Sequence, residues 1–253
     1  MNLSTYFSHI HLQHETNKPT LSLLRAIHRQ HLLHIPFENL DIHLGKKLSM
    51  DPVVVFKKIT EHNRGGLCFE VNSLLYSILT LLDYKVSYIS ASFWNTDKQS
   101  WNPDFSHLAL LVHLNGAKYL FDVGVGGGFT EPLHILDRYQ HHDQNGHYLV
   151  EATDDSNIFI IKKNSHDHWN PLFKIDTNPR VLQDFEEMCS FTQIDSDSLF
   201  TQKKLCSIIT ETGRISLTDE YIKVTNGDDI TITPVTSRNE WTTALWEYFH
   251  IEL

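Results

Sequence analysis

The amino-acid sequence predicts an α+β fold built around a curved or barrel-like antiparallel sheet. Three observations lead there. Apolar residues recur at helical spacing through the first third of the chain, alternation of period two takes over after Tyr84, and the final part mixes short strands with one more helix.

The elements follow in order. Thr20 stands at an N-cap position ahead of Leu21, Leu24, Ile27, His28 and Leu32, and this helix has to end before Ile35-Pro36, because a residue preceding Pro avoids the helical region. Asp51-Pro52 marks the next start, an acidic cap followed by Pro in the first turn, with Val53, Phe56 and Ile59 as its apolar face. Leu67, Val71, Leu74, Leu75, Ile78, Leu79 and Leu82 trace the stripe of a buried third helix, preceded by Arg64-Gly65-Gly66. Cys68 then lies in its first turn. Lys85–Trp94 alternates as a strand. His107–Leu114 and Lys118–Val123 form two more strands around Asn115-Gly116, a strong hairpin signal. Strands continue at Tyr148–Ala152, Asn157–Lys163 and Leu172–Ile175, then at Lys204–Thr210, Arg214–Leu217, Tyr221–Thr225 and Ile230–Thr233. Ser237 and Glu240 have capping-box spacing and open a last helix carrying Trp241, Leu245, Trp246 and Phe249.

Composition narrows the function. Hydrophobic content of 41% and charged content of 21% are those of a globular enzyme, and a net charge of −10 without a basic cluster argues against a nucleic-acid partner. The start of the chain lacks the pattern of a signal peptide, and no apolar run is long enough to span a bilayer, so a cytoplasmic protein without a membrane partner is expected. Three cysteines, Cys68, Cys189 and Cys206, with no CxxC spacing, point to free thiols in a reducing compartment.

Cys68 is placed where unpaired helix N–H groups and the helix dipole favour negative charge, and hence thiolate over thiol. Arg64 is a candidate to assist, and the Gly65 and Gly66 amides are candidate donors to an oxyanion. With a two-residue loop, Leu114 faces Ala117, and the same register sets Ala109 opposite Asp122 and His107 opposite Gly124. His107 and Asp122 then share a face as diagonal neighbours, roughly 7–8 Å apart at the backbone. A carboxylate so placed holds an imidazole in one tautomer, the orienting role in a nucleophile–base–acid triad. The glycine run Gly124–Gly128 lacks the dinucleotide fingerprint but is a candidate wall for a phosphate-bearing ligand. His141-His142-Asp143 with His147, and His166-Asp167-His168, lack established metal-ligand spacing and read as solvated loops, so no metal is expected.

These residues resemble the arylamine N-acetyltransferase family. Arg64-Gly65-Gly66-Leu67-Cys68-Phe69-Glu70-Val71-Asn72 is similar to its nucleophile motif. Ile35-Pro36-Phe37-Glu38-Asn39-Leu40, Ser106–Val112, Tyr119–Gly126 and Pro132-Leu133 match in order. The resemblance implies three parts: an N-terminal helical bundle over 1–84, a central antiparallel β-barrel over 85–197 and a C-terminal α/β lid over 198–253. It implies acetyl-coenzyme A (acetyl-CoA) as donor and an arylamine or arylhydrazine as acceptor. It makes Cys68 the nucleophile, His107 the base and Asp122 its orienter. Gly126, Gly127 and Gly128 would lie near the cofactor, and Phe37, Phe93, Val125 and Phe129 near the acyl or acceptor pocket. Val125 stands where the family usually has an aromatic residue, and Asp83 where it commonly has Gly. The order Cys, His, Asp also fits a cysteine hydrolase or transglutaminase-like enzyme, and a third reading is a binding module that keeps the fold after losing activity, against which the intact triad argues.

Overall fold

The computed structural model describes residues 1–13, 18–165 and 167–253. The chain begins with α1 (Leu3–His9), α2 (Leu21–His34), the two-residue strand β1 (Phe37–Glu38), α3 (Leu40–His43), α4 (Pro52–His62) and α5 (Cys68–Leu81). The start signals act as expected: the Thr20 hydroxyl accepts from Leu23 N at 3.1 Å, and Asp51 Oδ1 accepts from Val53 N at 2.8 Å. Helix α5 ends in a Schellman motif, with Asp83 N donating to Thr80 O and Tyr84 N to Leu79 O, both at 3.0 Å. Asp83 holds the left-handed position of that motif, at φ +61°.

Next come β2 (Lys85–Asn95), β3 (Ser100–Trp101), β4 (His107–Leu114), β5 (Ala117–Phe121), β6 (Leu133–His134), β7 (Gln140–Asp143), β8 (Gly146–Ala152), β9 (Ile158–Ser165) and β10 (His168–Arg180). They form one antiparallel sheet in the order β6-β5-β4-β2-β10-β9-β8-β7, with β3 paired to β2. Its two ends come together to make a nearly closed barrel. Just ahead of β6, Thr130 N donates to Asp143 Oδ2 at the end of β7, at 2.6 Å, while Arg138 and Tyr139 extend the β7–β8 pairing onto Val150, with bonds of 2.9 Å. Leu114 pairs with Ala117 across Asn115-Gly116, as the two-residue loop requires.

After a 3-10 turn at Leu182–Phe185 follow α6 (Glu186–Ile194) and α7 (Leu199–Gln202). The chain ends with β11 (Leu205–Thr210), β12 (Gly213–Thr218), β13 (Tyr221–Asn226), β14 (Asp229–Pro234) and α8 (Arg238–Phe249). The last four strands form a second sheet, and β1 joins it beside β11, pairing Phe37 with Ser207 and Glu38 with Cys206.

Two expectations are corrected. The His141–Asp143 and His147 stretch is no solvated loop: β7 and β8 pair there as a hairpin, with His142 opposite His147. Helices α1, α3, α6 and α7 were not expected, being short, and α6 buries only Cys189 and Thr192. The His166 member of the other His/Asp stretch lies outside the described residues.

Strand β4 explains why the middle of the chain is so apolar. Leu108, Leu110, Val112 and Leu114 pack against the α5 side with Val71, Leu75 and Ile78, while Ala109 and Leu111 face the barrel interior with Ile89, Tyr148 and Phe173. A third core sets Trp241, Leu245 and Phe249 of α8 on Cys206, Leu217 and Ile222 of the second sheet. The site therefore stands on a strand buried on both faces, where side-chain positions are tightly held.

Candidate functional site

Cys68 is the first residue of α5 and keeps 7% of its surface exposed, at the edge of the first core. Glu70, two residues on, reaches back to accept from Leu67 N at 3.1 Å, which fixes the helix start. Its other oxygen meets Lys58 at 2.8 Å. Lys58 also meets Asp41 at 2.8 Å, and Arg64 meets Glu38 and Asp41, each at 2.9 Å. Three carboxylates thus face two cations in a buried cluster. Burial, with the Glu38 charge beside it, raises the Glu70 carboxyl to about 7 against the opposing pull of Lys58.

The cluster corrects two further expectations. Arg64 spends its guanidinium on Glu38 and Asp41. The glycine amides are also engaged: Gly65 N donates to Glu38 Oε1 and Gly66 N to Pro36 O, both at 3.3 Å. They hold the loop and do not face an oxyanion.

His107 begins β4, and Asp122 follows the end of β5. Their predicted parity holds, and His107 Nε2 lies 2.6 Å from Asp122 Oδ2. Asp122 is held on every side. Its Oδ1 accepts from Asn72 Nδ2 at 2.8 Å and from Gly124 N at 2.9 Å, and its carbonyl accepts from His28 Nε2 at 3.1 Å. Asn72 is one helical turn beyond Cys68 on the same face of α5, and it also bonds Leu108 O at 2.8 Å. It ties the cysteine helix to the hairpin. Neither Asn72 nor His28 was assigned a role from the sequence. The i,i+4 spacing from Cys68 was the available signal for Asn72. His28 had none beyond a helical position, since its partner is 94 residues away.

Cys68, His107 and Asp122 are brought together. A Cβ placed on Gly124 would sit 2.5 Å from the Cys68 Cβ, so the backbone after Asp122 lies directly against the cysteine. Cys68 and Asp122 both act on the His107 ring. Burial works against its charge, but their charges and hydrogen bonds prevail and raise it to about 10. These surroundings favour the imidazolium form of the ring, beside a sulfur at a helix N-terminus. The other thiols differ: burial pushes Cys189 up to about 12 and Cys206 well above the ordinary thiol range. His28 stays neutral, drawn down to about 4 by burial despite nearby Thr130 and Asp122.

The remaining residues surround this centre. The Phe93 ring stands edge-on to His107, with centroids 5.0 Å apart. Phe37 is half-buried and flanks Gly126, and Val125, also half-buried, packs against Gly128. Phe129 is 1% exposed and stacks on His28 with centroids 5.7 Å apart, so it belongs to the core beneath the site. Gly126 and Gly127 are half-buried and Gly128 is buried. Asn145 of the β7–β8 turn bonds Gly128 O at 2.6 Å and braces the glycine loop. A thiol, an imidazolium and a fixed carboxylate in this arrangement support nucleophilic attack on an acyl carbon with proton return through the ring.

Comparison with known proteins gives a consistent set of relatives. A family model described as N-acetyltransferase matches residues 20–253. The chain is 27% identical to the arylamine N-acetyltransferase liver isozyme of Gallus gallus, over 86% of this chain and 82% of that one. It is 29% identical to arylamine N-acetyltransferase 1 of Bos taurus, over 84% and 79%. Among solved structures, the arylamine N-acetyltransferase of M. smegmatis superposes with a TM-score of 0.91 at 27% identity, covering 100% of this chain and 93% of that one. A Bacillus cereus relative, whose structure is described as having a Cys-His-Glu catalytic triad, superposes at 0.90 with 25% identity, covering 99% and 98%.

Proposed function

We propose that this chain, which belongs to the N-acetyltransferase family, transfers an acetyl group from acetyl-CoA to the nitrogen of an arylamine or arylhydrazine, with Cys68 as carrier, His107 as acid and base, and Asp122 as the group that orients His107. The observation that carries this reading is the contact of His107 with both Asp122, at 2.6 Å, and Cys68, which strengthens the ring's hold on its proton.

Coenzyme A, when bound, supplies an acetyl group activated as a thioester. Cys68, as thiolate, attacks the carbonyl carbon; a carbon–sulfur bond to Cys68 forms as the donor's own bond breaks, and His107 gives its proton to the departing sulfur. The amine nitrogen then attacks acetyl-Cys68. Its proton passes to His107, the amide forms, and the Cys68 thiolate is regenerated beside an imidazolium. Asp122 keeps Nε2–H pointed away, so that Nδ1 serves the sulfur in both steps. The cluster of Glu38, Asp41, Lys58, Arg64 and Glu70 positions the start of α5 and touches no reacting atom.

The chain has residues suited to a phosphate-bearing donor: a glycine loop within reach of the cysteine, and the Arg214 guanidinium packed on Gly127 with a buried Nε that has no hydrogen-bond partner. Gly126, Gly127 and Gly128 would hold the donor, and Phe37, Phe93 and Val125 would line the acyl and acceptor side over Phe129. In this reading 1–84 carry the nucleophile, 85–197 the base and acid, and 198–253 cover the cleft of a cytoplasmic enzyme. Intact-protein mass spectrometry after mixing with acetyl-CoA tests it. A single acetyl adduct that disappears on adding an arylamine, and never forms on Cys68→Ala, is expected; no adduct, or one that survives the substitution, would refute it.

A further inference from the structure

The segment that joins Asp122 to Thr130 leaves the barrel sheet and returns to it beside one buried side chain. Pairing of β5 with β4 stops at Phe121, and pairing of β5 with β6 covers Tyr119 and Leu120, so the Asp122 backbone lies beyond the ladder of the sheet. Its carbonyl is taken instead by His28 of α2, which donates through Nε2 at 3.1 Å. The His28 ring also meets the two phenylalanines that flank the segment. It stands edge-on to Phe121 with centroids 4.8 Å apart and is stacked on Phe129 at 5.7 Å. The Thr130 backbone, next to Phe129, bears on the same ring. Residues 123–128 thus form a hoop whose two ends close on His28.

The hoop carries what this side of the molecule gives to the site. Gly124 lies directly against Cys68, and Asp122, at the root of the hoop, holds His107. Asn72 of α5 grips the Asp122 carboxylate at 2.8 Å and Val123 N at 3.3 Å, while His28 grips the Asp122 main chain from α2. His28 is fully enclosed, in a slot between aromatic rings that a leucine would fill without burying a polar atom. Burial keeps the ring neutral, against the pull of the Thr130 backbone, Asp122 and Asp143. With Nε2–H committed to Asp122, Nδ1 is an acceptor, and among the described residues this buried atom has no hydrogen-bond partner. An enclosed acceptor without a donor destabilises a fold, and so does a buried carbonyl that loses its only donor. The ring is therefore accounted for by its Nε2–H and not by its apolar surface.

We propose that His28 is a positioning residue for acyl transfer: by taking the Asp122 carbonyl and packing on both ends of the hoop, it sets the approach of Asp122 to His107 and the seat of Gly124 on Cys68. The inference rests on the proposed function in taking Cys68, His107 and Asp122 as the reacting centre. His28 itself touches none of the reacting atoms. Moving the Asp122 main chain carries its carboxylate along, and a misplacement of about 1 Å in such a group lowers turnover about 100-fold.

The test sets His28→Leu, which fills the slot without an N–H, beside His28→Gln, whose terminal NH2 group restores a donor near the place of Nε2. In His28→Leu we expect kcat to fall about 10–100-fold, with KM for the arylamine within about threefold of wild type. The rise with pH of Cys68 alkylation by iodoacetamide should move up by about half a unit or more, because an Asp122 held less closely gives less support to a proton on His107. His28→Gln should recover most of both losses. A ring that only filled the core would leave the alkylation profile unmoved. A folded His28→Leu with the kcat and profile of wild type would overturn the proposal, and so would a His28→Gln no better than His28→Leu. If the leucine variant does not fold, nitrogen-15 NMR of the wild-type ring decides. Protonation of His28 on Nε2 alone at neutral pH is expected, and a ring protonated on Nδ1 alone would leave the Asp122 carbonyl without its donor and end the proposal. The alkylation profile and the ring tautomer are both read without an acyl donor. A wild type that acetyl-CoA does not acetylate would therefore overturn the proposed reaction, while the hold of His28 on the Cys68–His107 pair would stand or fall on these two measurements.

Discussion

Substituting Asp122 by Asn isolates the electrostatic part of the triad with almost no change of shape. Both carboxylate oxygens of Asp122 act only as acceptors: Oδ1 from Asn72 Nδ2 and Gly124 N, and Oδ2 from His107 Nε2. An amide offers one oxygen. Turned so that its oxygen keeps the two bonds on the Oδ1 side, it presents N–H to His107 Nε2, which must then give up its own proton. The proton moves to Nδ1, the side that serves Cys68. Turned the other way, the NH2 group meets two N–H donors at once. The first arrangement breaks fewer bonds, so the variant should fold and hold His107 in the wrong tautomer. The carboxylate charge, the largest of the influences that hold the His107 proton against burial, is lost as well, so the ring should be far less basic. Wrong-tautomer substitutions of this kind lower turnover by about 10⁴, or roughly 5 kcal/mol of transition-state stabilisation. Acetyl transfer measured alongside alkylation of Cys68 by iodoacetamide is the assay. Cys189 and Cys206 are buried thiols held mostly protonated, so the fast-reacting sulfur reports on Cys68. Asp122→Glu, which keeps the charge, should lose less. An Asp122→Asn protein that folds and retains turnover and alkylation rate within about threefold of wild type would refute the reasoning.

Three further outcomes are expected. Gly124→Ala should lower activity by at least about tenfold with a smaller loss of stability, because the added methyl meets Cys68 Cβ at 2.5 Å and Cys68 Cα at 2.6 Å; equal kcat in the variant would count against the close packing described. Asp83→Gly should stabilise the fold by about 0.5–1 kcal/mol, raising the melting temperature by a few degrees, since Asp83 holds φ +61° in the Schellman motif; a lower melting temperature would show that the Asp side chain contributes more than its strain costs. Glu70 releases its proton at about 7 when folded and near 4.5 when unfolded, so between these values the folded state binds more protons and stability falls as pH rises. Thermal melts of Glu70→Gln against wild type should show the variant gaining relative stability from pH 4.5 to 7, and a constant gap would show that the buried carboxyl is ionised throughout.

The legible parts of the fold were those with short-range causes. Asp51-Pro52 and Thr20 start helices through bonds to residues two or three positions away, and Asn115-Gly116 sets the register of β4 on β5 through its own turn geometry. That register was enough to put His107 and Asp122 on one face. What could not be read depends on partners far along the chain. Arg64 and Gly65 sit beside the cysteine in sequence, but Glu38, 26 and 27 residues earlier, takes both. The Cys68–hairpin junction depends on Asn72, whose partners Leu108 and Asp122 are 36 and 50 residues away. Strand β1 is two residues long and has no period to detect; its pairing with β11 makes it a strand. The His141–His147 stretch looked polar because one face of the β7–β8 hairpin is exposed, while Tyr148 and Leu149 beyond it are buried.

The pairing of β1 with β11 also constrains how the chain is made. Asn39 accepts from Leu205 N through Oδ1 at 2.7 Å and donates to Lys203 O at 2.9 Å, partners translated 166 and 164 residues later. At 5–20 residues per second, the ribosome delivers them roughly 8–33 s after Asn39 emerges. Through that interval Glu38 has no neighbouring strand to complete its enclosure, and the segment leading to Cys68 stays open to water. A premature stop before β11 would therefore leave a chain bearing the cysteine, histidine and aspartate but without the seam that closes around them, a substrate for chaperones and proteases before it is an enzyme.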